Sequence, residues 1–481
     1  MRKQALNPYL PSFEYVPDGE PYVFDNRVYV YGSHDKFNGT AYCQNNYVCW
    51  SADIKDLGEW RYEGVIYSKE QDAMCDDPND RLLFAPDVQK GQDGRYYLYY
   101  AFDFLGVMAV AVCDTPAGKY EFYGHVHYAD GTLLGSKEGD PFQFDPGILV
   151  DDDGSVYLYS GFCPENFPWD RFGFPERLVE GGMVIALEKD MVTIKEGPKV
   201  IFPDKTHGRG TDFEGHEFFE AASIRKIDDT YYFIYSSVNG HELCYATSKN
   251  PIGDFKYGGT IVSNADIFLN GRTDEDALNY SANNHGSVIE INGQWYVFYH
   301  RQTNKHQFSR QGCAEPITIE KDGSINQVEM TSSGLNNGPL HGHGEYEARI
   351  ACNLMSKQGA KRYEFGDVIE EYHPYFTQDG EDREGNPNQY IANMNDGAIA
   401  GFKYFNFNQV QDISVTVRGA GNGVLIVSTG IGDGIVSKIN LTETVDWATF
   451  TAQLKIDEGI KPLYFTYKGE GAVDFLSFSI N

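Results

Sequence analysis

Tryptophan is scarce, with 5 residues in 481, although 34 Tyr and 31 Phe lift the aromatic share to 15%. CxxC pairs are absent. The eight cysteines (43, 49, 75, 113, 163, 244, 313 and 352) are scattered without zinc-ligand spacing, which argues against a cysteine-held metal or redox motif. No apolar run is long: the longest, Phe104 to Cys113, matches a buried strand and is too short to span a bilayer. The N-terminal stretch MRKQALNPYLPSFEY holds no apolar core of a secretion signal. A cytoplasmic protein with reduced thiols is therefore expected. Basic charge is also in deficit, 39 Lys and Arg against 70 Asp and Glu, for a formal charge of -31. Nucleic acid and anionic membrane are poor partners for such a surface, whereas neutral carbohydrate is compatible with it.

What is present points to strands. Hydrophobic residues make up 41% of the chain, enough for ample core, and the length suits two domains. Five segments repeat a polar turn followed by an alternating aromatic run: DNRVYVYGSH (25–34), DGRYYLYYAF (93–102), DGSVYLYSGF (153–162), DDTYYFIYSS (228–237) and NGQWYVFYHR (292–301). The anchors Tyr29, Tyr97, Tyr157, Tyr232 and Tyr296 are separated by 68, 60, 75 and 64 residues. Asp-Gly and Asn-Gly between apolar runs mark hairpins, because these residues accept positive φ cheaply. A second strand pair follows each of the first four anchors, and the fifth unit ends in CAEPITIEKDGSINQVEMT. About four strands per unit is the content of a propeller blade, so residues 1–335 read as a five-bladed β-propeller. Beyond that the texture changes, and short strands such as DISVTVRGAGNGVLIVSTG predict a separate β-sandwich of jelly-roll type over 336–481. Within it, residues 375–390 read as an exposed loop. The overall class is all-β.

An ionisable residue recurs upstream of every anchor. Asp18 precedes Tyr29 by 11 residues, Asp87 precedes Tyr97 by 10, Asp145 precedes Tyr157 by 12, Glu220 precedes Tyr232 by 12, and His285 precedes Tyr296 by 11. In a propeller the strand before the hairpin turn is innermost, so these five side chains would converge on the axis. A single acid beside Gly or Pro is ordinarily a turn former. Five in phase are harder to explain so, because clustered like charges are costly and are tolerated where shifted pKa values are needed. Glu220, in the apolar context FFEAASI, has the surroundings that raise the pKa of a general acid. Glycoside hydrolysis needs two such carboxyl groups, and Asp18 and Glu220 are candidates to face each other.

The segments PDGEPYVFDNRVYVYGSHD, FAPDVQKGQDGRYYLYYAF, FDPGILVDDDGSVYLYSG, FFEAASIRKIDDTYYFIYS and NNHGSVIEINGQWYVFYHR together resemble glycoside hydrolase family 43, from residue 7 to about 335. The resemblance implies an inverting enzyme on a five-bladed propeller, acting on pentose-containing oligosaccharides from xylans and arabinans. It implies Asp18 as general base, Asp87 as the acid that tunes the proton donor, and Glu220 as general acid, with Ala221 and Ala222 in place of the commoner Gly-Pro. It implies Asp145 near the substrate floor, Arg310 reaching the sugar, and His34 and Asp35 lining the pocket. His285 resembles the axial histidine that lies beside a calcium ion in many relatives. The region past 336 is similar, more weakly, to carbohydrate-binding modules of family 6, with Glu347 and Asp474 as candidate calcium ligands and Trp447 at the place of a sugar-stacking ring. A role packing on the propeller is favoured over adhesion to polymer.

The leading expectation is an exo-acting α-L-arabinofuranosidase, with β-xylosidase or dual activity close behind. The loop 163–181 would shape the pocket and set that preference. A non-catalytic sugar-binding protein is disfavoured by intact acids at all three catalytic positions. A retaining, invertase-like enzyme is disfavoured because PDGEP does not resemble a tryptophan-rich Asn-Asp-Pro motif.

Overall fold

The computed structural model describes residues 3–137, 139–164, 181–364, 366–383 and 388–481. Strands dominate, and among the described residues helix is limited to short 3-10 turns. The first nineteen strands form five consecutive antiparallel meanders. The first sheet is β1–β4 (Glu20–Phe24, Arg27–Tyr31, Tyr47–Asp53, Asp56–Tyr67), and the second is β5–β8 (Leu83–Lys90, Tyr96–Phe102, Met108–Cys113, Glu121–His125). The third is β9–β12 (Gly147–Val150, Val156–Ser160, Gly181–Leu187, Ile194–Pro203), and the fourth is β13–β16 (Phe218–Ile227, Thr230–Ser237, Glu242–Ser248, Lys256–Ser263). The fifth has three strands, β17–β19 (Val288–Ile291, Gln294–Thr303, Ser309–Ile317). The expected fourth strand of that unit does not form. Residues 7–9 run beside β19 instead, with Tyr9 N–H donating to Gly312 O at 3.3 Å and Asn7 Nδ2 to Ala314 O at 2.9 Å.

Alternation along the aromatic strands explains how these sheets stack. In β6, Tyr96, Leu98, Tyr100 and Phe102 join Tyr29, Tyr31 and Tyr47 of the first sheet in one buried cluster. The intervening Tyr97 and Tyr99 pack with Ile148, Leu158 and Ile185 of the third. A strand covered on both faces needs apolar bulk at odd and even positions alike, which is why YYLYYAF carries rings on both. Similar clusters join the third sheet to the fourth, the fourth to the fifth, and the fifth back to the first, where Ile291 and Phe298 meet Val28 and Val30. The packing is thus cyclic. First strands lie innermost, β1 against both β5 and β17, β5 against β9, and β9 against β13. A parallel bridge between Gly19 and Gly286 ties the first unit to the last.

The remaining strands are β20–β31: Leu340–His341, Gly344–Glu347, Asn353–Met355, Tyr375–Thr377, Tyr390–Met394, Ile399–Phe407, Asp412–Gly419, Asn422–Gly430, Asp433–Leu441, Thr444–Gln453, Gly459–Glu470 and Val473–Ile480. They form two six-stranded sheets, one running β20-β25-β30-β27-β28 with β22 on β25, the other β23-β24-β31-β26-β29 with β21 on β31. Phe402, Phe405 and Phe465 of one sheet meet Phe475, Phe478 and Val415 of the other in a single core.

This part is bolted to the five sheets. Arg301, buried on β18, donates to the carbonyls of Ala351 and Arg349, each at 2.8 Å, and lies 3.8 Å from the Phe376 ring centre. Lys403 pairs with Asp266 at 3.3 Å and Glu329 at 3.0 Å. The stretch expected as an exposed loop, 375–390, is a correction. Its start is β23, Gln378 accepts from Tyr15 Oη at 2.7 Å, Asp382 accepts from Phe37 N–H at 2.7 Å, and Arg383 pairs with buried Glu14. Part of its polar composition thus serves bonds to residues flanking β1 and β2; residues 384–387 lie outside the described residues.

Gly286 is pressed against β18 of its own unit. A β-carbon there would lie 1.8 Å from the Phe298 carbonyl oxygen, so Gly286→Ala should push this segment off β18 and destabilise by about 1–3 kcal/mol, read in denaturant unfolding. An unchanged midpoint would show that this close approach does not bear on stability.

Candidate active site

Asp18, Asp145, Glu220, His285 and Arg310 line one cavity of about 640 Å³ at the convergence of the first strands. Local backbone conformation aims them. Asp18 and Asp145 sit just ahead of β1 and β9 at φ 56° and 45°, left-handed values that Asp tolerates better than most residues. Glu220 lies on β13 between two register shifts, and the next residue, Ala221, takes φ 66°. This bulge turns Glu220 toward the cavity and aims Ala221 N–H at Asp145 Oδ2, 3.1 Å away. An alanine in that conformation costs about 1 kcal/mol, which the Gly commoner in the family would not incur.

The carboxyl groups differ in charge. Asp18 accepts from Arg310 Nη1 at 2.8 Å on Oδ1 and from Ser33 Oγ on Oδ2. Burial pushes its pKa up, but the Arg310 charge and then His300, 3.1 Å away, hold it far below the usual range. Arg310 is itself fixed by Asp35, which accepts from Nε at 2.8 Å and from Nη2 at 3.0 Å. Glu220 has no such cation bonded to it among the described residues. Burial and then the Asp145 charge push its pKa up to about 8. Burial lowers His285, but Asp145, 3.6 Å from Nδ1, overcomes this with help from Asp18 and Glu20 and lifts it to about 9. At neutral pH the site therefore holds an ionised Asp18, a protonated Glu220, and an imidazolium beside Asp145.

Three expected site residues stand elsewhere. Asp87 is fully buried in β5 and is absent from the cavity wall. It accepts from Tyr22 Oη at 2.7 Å, Val88 N–H at 2.7 Å and Ile148 N–H at 2.8 Å, so it joins the first three sheets behind the site. Burial, then the Glu20 charge, push its pKa up to about 7. Its phase in the repeat was right, but it lies inside its strand, whereas Asp18 and Asp145 precede theirs. Asp35 is also buried, oriented by Cys43 N–H at 2.9 Å, and acts on the site through Arg310. His34 donates from Nδ1 to Asn46 O at 2.8 Å and approaches Glu14 at 3.2 Å, away from the cavity. Of the loop 163–181, residues 165–180 lie outside the described residues; Cys163 and Pro164 reach the cavity.

The metal expectations meet a poor donor set. Glu347 is paired with Arg349 at 2.5 Å, and Asp474 with Arg418 at 3.1 Å, so each carboxylate is neutralised by an arginine. At the axis, His285 Nε2 and Glu20 Oε1 lie 4.0 Å apart, both without a hydrogen-bond partner among the described residues. Calcium takes six to eight oxygen ligands. Here one carboxylate oxygen faces a ring nitrogen, and the other oxygen of Glu20 is bound by Arg225 at 2.6 Å. These residues do not fit a calcium ion. Trp447 is likewise not open on both faces, because the Arg418 guanidinium lies 4.3 Å from its ring centre and Tyr390 packs edge-on at 5.3 Å.

Sequence reasoning missed an aromatic wall. Phe84, Phe144 and Phe219 line the cavity with Tyr42 and Phe104. Their signal is visible in hindsight, since a phenylalanine stands shortly before the acid in each of the motifs FAPD, FDPG and FFEA. Ring faces beside buried carboxyl groups suit the apolar faces of a sugar.

An ionised and a protonated carboxyl group lining one aromatic-walled cavity make a glycoside-cleaving site. The chain belongs to glycosyl hydrolases family 43, whose model matches residues 7–325. It is 54% identical to a xylosidase/arabinosidase of Thermoclostridium stercorarium, over 100% of this chain and 99% of that protein. Among solved structures it is similar to a β-xylosidase/α-arabinofuranosidase from a compost metagenome, bound to xylotriose in a calcium-free form, with 28% identity, TM-score 0.53, and coverage of 68% of this chain and 98% of that one. A Bacillus subtilis arabinoxylan arabinofuranohydrolase bound to cellotetraose shares the fold at 20% identity and TM-score 0.51, covering 100% of this chain and 99% of that one.

The placement of the acids separates their roles. Asp145→Asn should lower kcat/KM on a pentoside by about 10²-fold or more, whereas Asp87→Asn should keep kcat/KM within about tenfold and destabilise by about 1–3 kcal/mol through its mismatched buried bonds. The reverse pattern would restore Asp87 to the chemistry.

Proposed function

We propose that this chain is an inverting, exo-acting glycoside hydrolase that releases α-L-arabinofuranosyl residues from arabinoxylan- or arabinan-derived oligosaccharides, with β-xylosidase activity in the same pocket. In this reading residues 1–335 form a five-bladed β-propeller carrying the chemistry, and 336–481 a β-sandwich packed against it in the cytoplasmic enzyme. The observation that carries the proposal is the opposite displacement of two carboxyl pKa values within one buried cavity, Asp18 down and Glu220 up to about 8. The two activities in the names of relatives agree with it. The eight unpaired cysteines agree with a reducing compartment.

Glu220, protonated, gives its proton to the glycosidic oxygen as the bond to the anomeric carbon breaks. Asp18, ionised, orients a water on the opposite face and takes its proton as the water bonds to the oxocarbenium-like centre, so configuration inverts. A carboxylate of depressed pKa is a weak base, but the water becomes acidic as it bonds, and what Arg310 secures is that Asp18 is charged and aimed. Asp145 takes the tuning role first assigned to Asp87: its charge keeps the proton on Glu220, and its bond to Ala221 N–H holds the bulge that presents Glu220. His285 balances Asp145. Positive charge at the axis comes from His285 and Arg225.

The acid must be protonated to act, so kcat/KM should fall as pH rises through about 8, the Glu220 value, and Asp145→Asn should move that fall to lower pH. Glu220→Gln should cost about 10²–10⁴-fold on any pentoside. Unchanged turnover would leave a binding protein rather than an enzyme. Proton NMR of an α-arabinofuranoside digest should show the β-anomer first; a retained anomer defeats the assignment of Asp18 as base. Exhaustive chelation should leave kcat/KM and Tm unaltered, and a loss restored by calcium would overturn the reading of the axis.

A further inference from the structure

The mouth of the catalytic cavity includes residues from far outside the five sheets. Arg362, Tyr363 and Glu364, which follow β22, line it beside Val238, Gly240 and Asn283. Their backbone is stitched to the fifth unit by a parallel bridge at Ser281: Ser281 N–H donates to Lys361 O at 3.0 Å, and Tyr363 N–H donates to Ser281 O at 2.8 Å. Tyr363 is buried, its hydroxyl donates to Asn304 O at 3.1 Å, and its ring packs against Tyr280 at 4.8 Å. Arg362 therefore stands on a pinned segment between two backbone bonds.

Its side chain is exposed and makes no hydrogen bond or ion pair among the described residues. The guanidinium lies over Gly240, with Nη2 2.8 Å from where a β-carbon of that residue would be. By contrast, Arg310 on the same cavity is committed to Asp18 and Asp35. A planar fork of five donors, seated by its own backbone yet left unpaired at the rim of a carboxyl-floored cavity, is prepared for a ligand rather than for folding.

We propose that Arg362 binds hydroxyl groups of the sugar on the leaving-group side of the scissile bond, so that the chain beyond residue 335 completes the substrate site. This rests on the exo-acting reading above. The catalytic carboxyl groups are buried at the floor, where the departing pentose must sit, so the sugar still attached emerges past the exposed rim where Arg362 stands. Glu364, also exposed on the rim, accepts hydroxyl protons beside it. The C-terminal sheets would thereby contribute recognition of short oligosaccharides at the active site itself, not adhesion to a polymer elsewhere.

The test compares Arg362→Ala and Arg362→Lys in the full-length enzyme on xylotriose and arabinoxylo-oligosaccharides against nitrophenyl xyloside and arabinofuranoside, whose leaving group offers no ring hydroxyls. Losing charged donors should cut kcat/KM on the oligosaccharides by about 10- to 100-fold, mainly through KM, with a loss on nitrophenyl substrates at least about fivefold smaller. The lysine variant should fall between, because it keeps charge without the fork. Equal losses on both substrate classes, or none on the oligosaccharides, would overturn the proposal while leaving the hydrolase reading intact. A wild-type enzyme inactive on every pentoside would instead remove the hydrolase reading, and this one with it.

Discussion

Three carboxyl groups around one buried cavity cannot all carry charge, and the way Asp18, Asp145 and Glu220 divide it governs the rest of the site. Arg310, clamped by Asp35, bonds to Asp18 and leaves that residue as the stable anion. Asp145 is paired with its neighbour His285, and Glu220, with no bonded cation among the described residues, keeps the proton. Each assignment follows from which positive group is within reach rather than from the carboxyl groups themselves. A low-dielectric, aromatic-walled cavity magnifies these differences, so modest placement produces a wide separation between acid and base.

The architecture provides that placement through the innermost strands. Because every sheet is packed on both faces by its neighbours, the first strands are held side by side, and residues near their starts cannot avoid one another. Local departures from regular strand geometry do the aiming. Asp18 and Asp145 leave the strand in left-handed conformations, and Glu220 is carried by a bulge whose alanine is strained. Asp87, which keeps regular β geometry within β5, has its oxygens satisfied by neighbouring N–H groups and a tyrosine, and so is withdrawn from chemistry.

The axis behind the cavity is a second charge system. Glu20, Tyr22, Asp87 and Arg225 are linked there, with Arg225 over the Tyr22 ring at 4.4 Å and bonded to Glu20. A guanidinium supplies permanent charge there, bonded to one of the two oxygens of Glu20. The C-terminal sheets are joined to the five sheets from both sides: Arg301 of β18 reaches the carbonyls of Ala351 and Arg349, while Lys403 and Asp382 reach back to Glu329 and to Phe37 N–H. An association so polar and so specific fixes the rim residues relative to the floor.

Periodic features were legible in the amino-acid order. Tyr29, Tyr97, Tyr157, Tyr232 and Tyr296 do mark the hairpins, and the in-phase ionisable residues do gather at the inner strands, because alternation and turn chemistry act over a few residues and are written locally. The break in texture near residue 340 coincides with β20, the first strand of the two six-stranded sheets. The division of labour among the acids was not legible. Asp87 and Asp145 look equivalent in their motifs, and only the neighbours brought by other sheets (Arg310 from 292 residues beyond Asp18, Asp145 from 76 residues before Ala221) decide which carboxyl group faces substrate, which is ionised and which is merely structural. The same holds for Arg362, whose position on the cavity rim depends on a bridge to Ser281 that no local pattern encodes. Strand and turn are short-range properties of the chain, whereas electrostatic environment is set by through-space contacts, and so the first was determined by sequence and the second by tertiary structure.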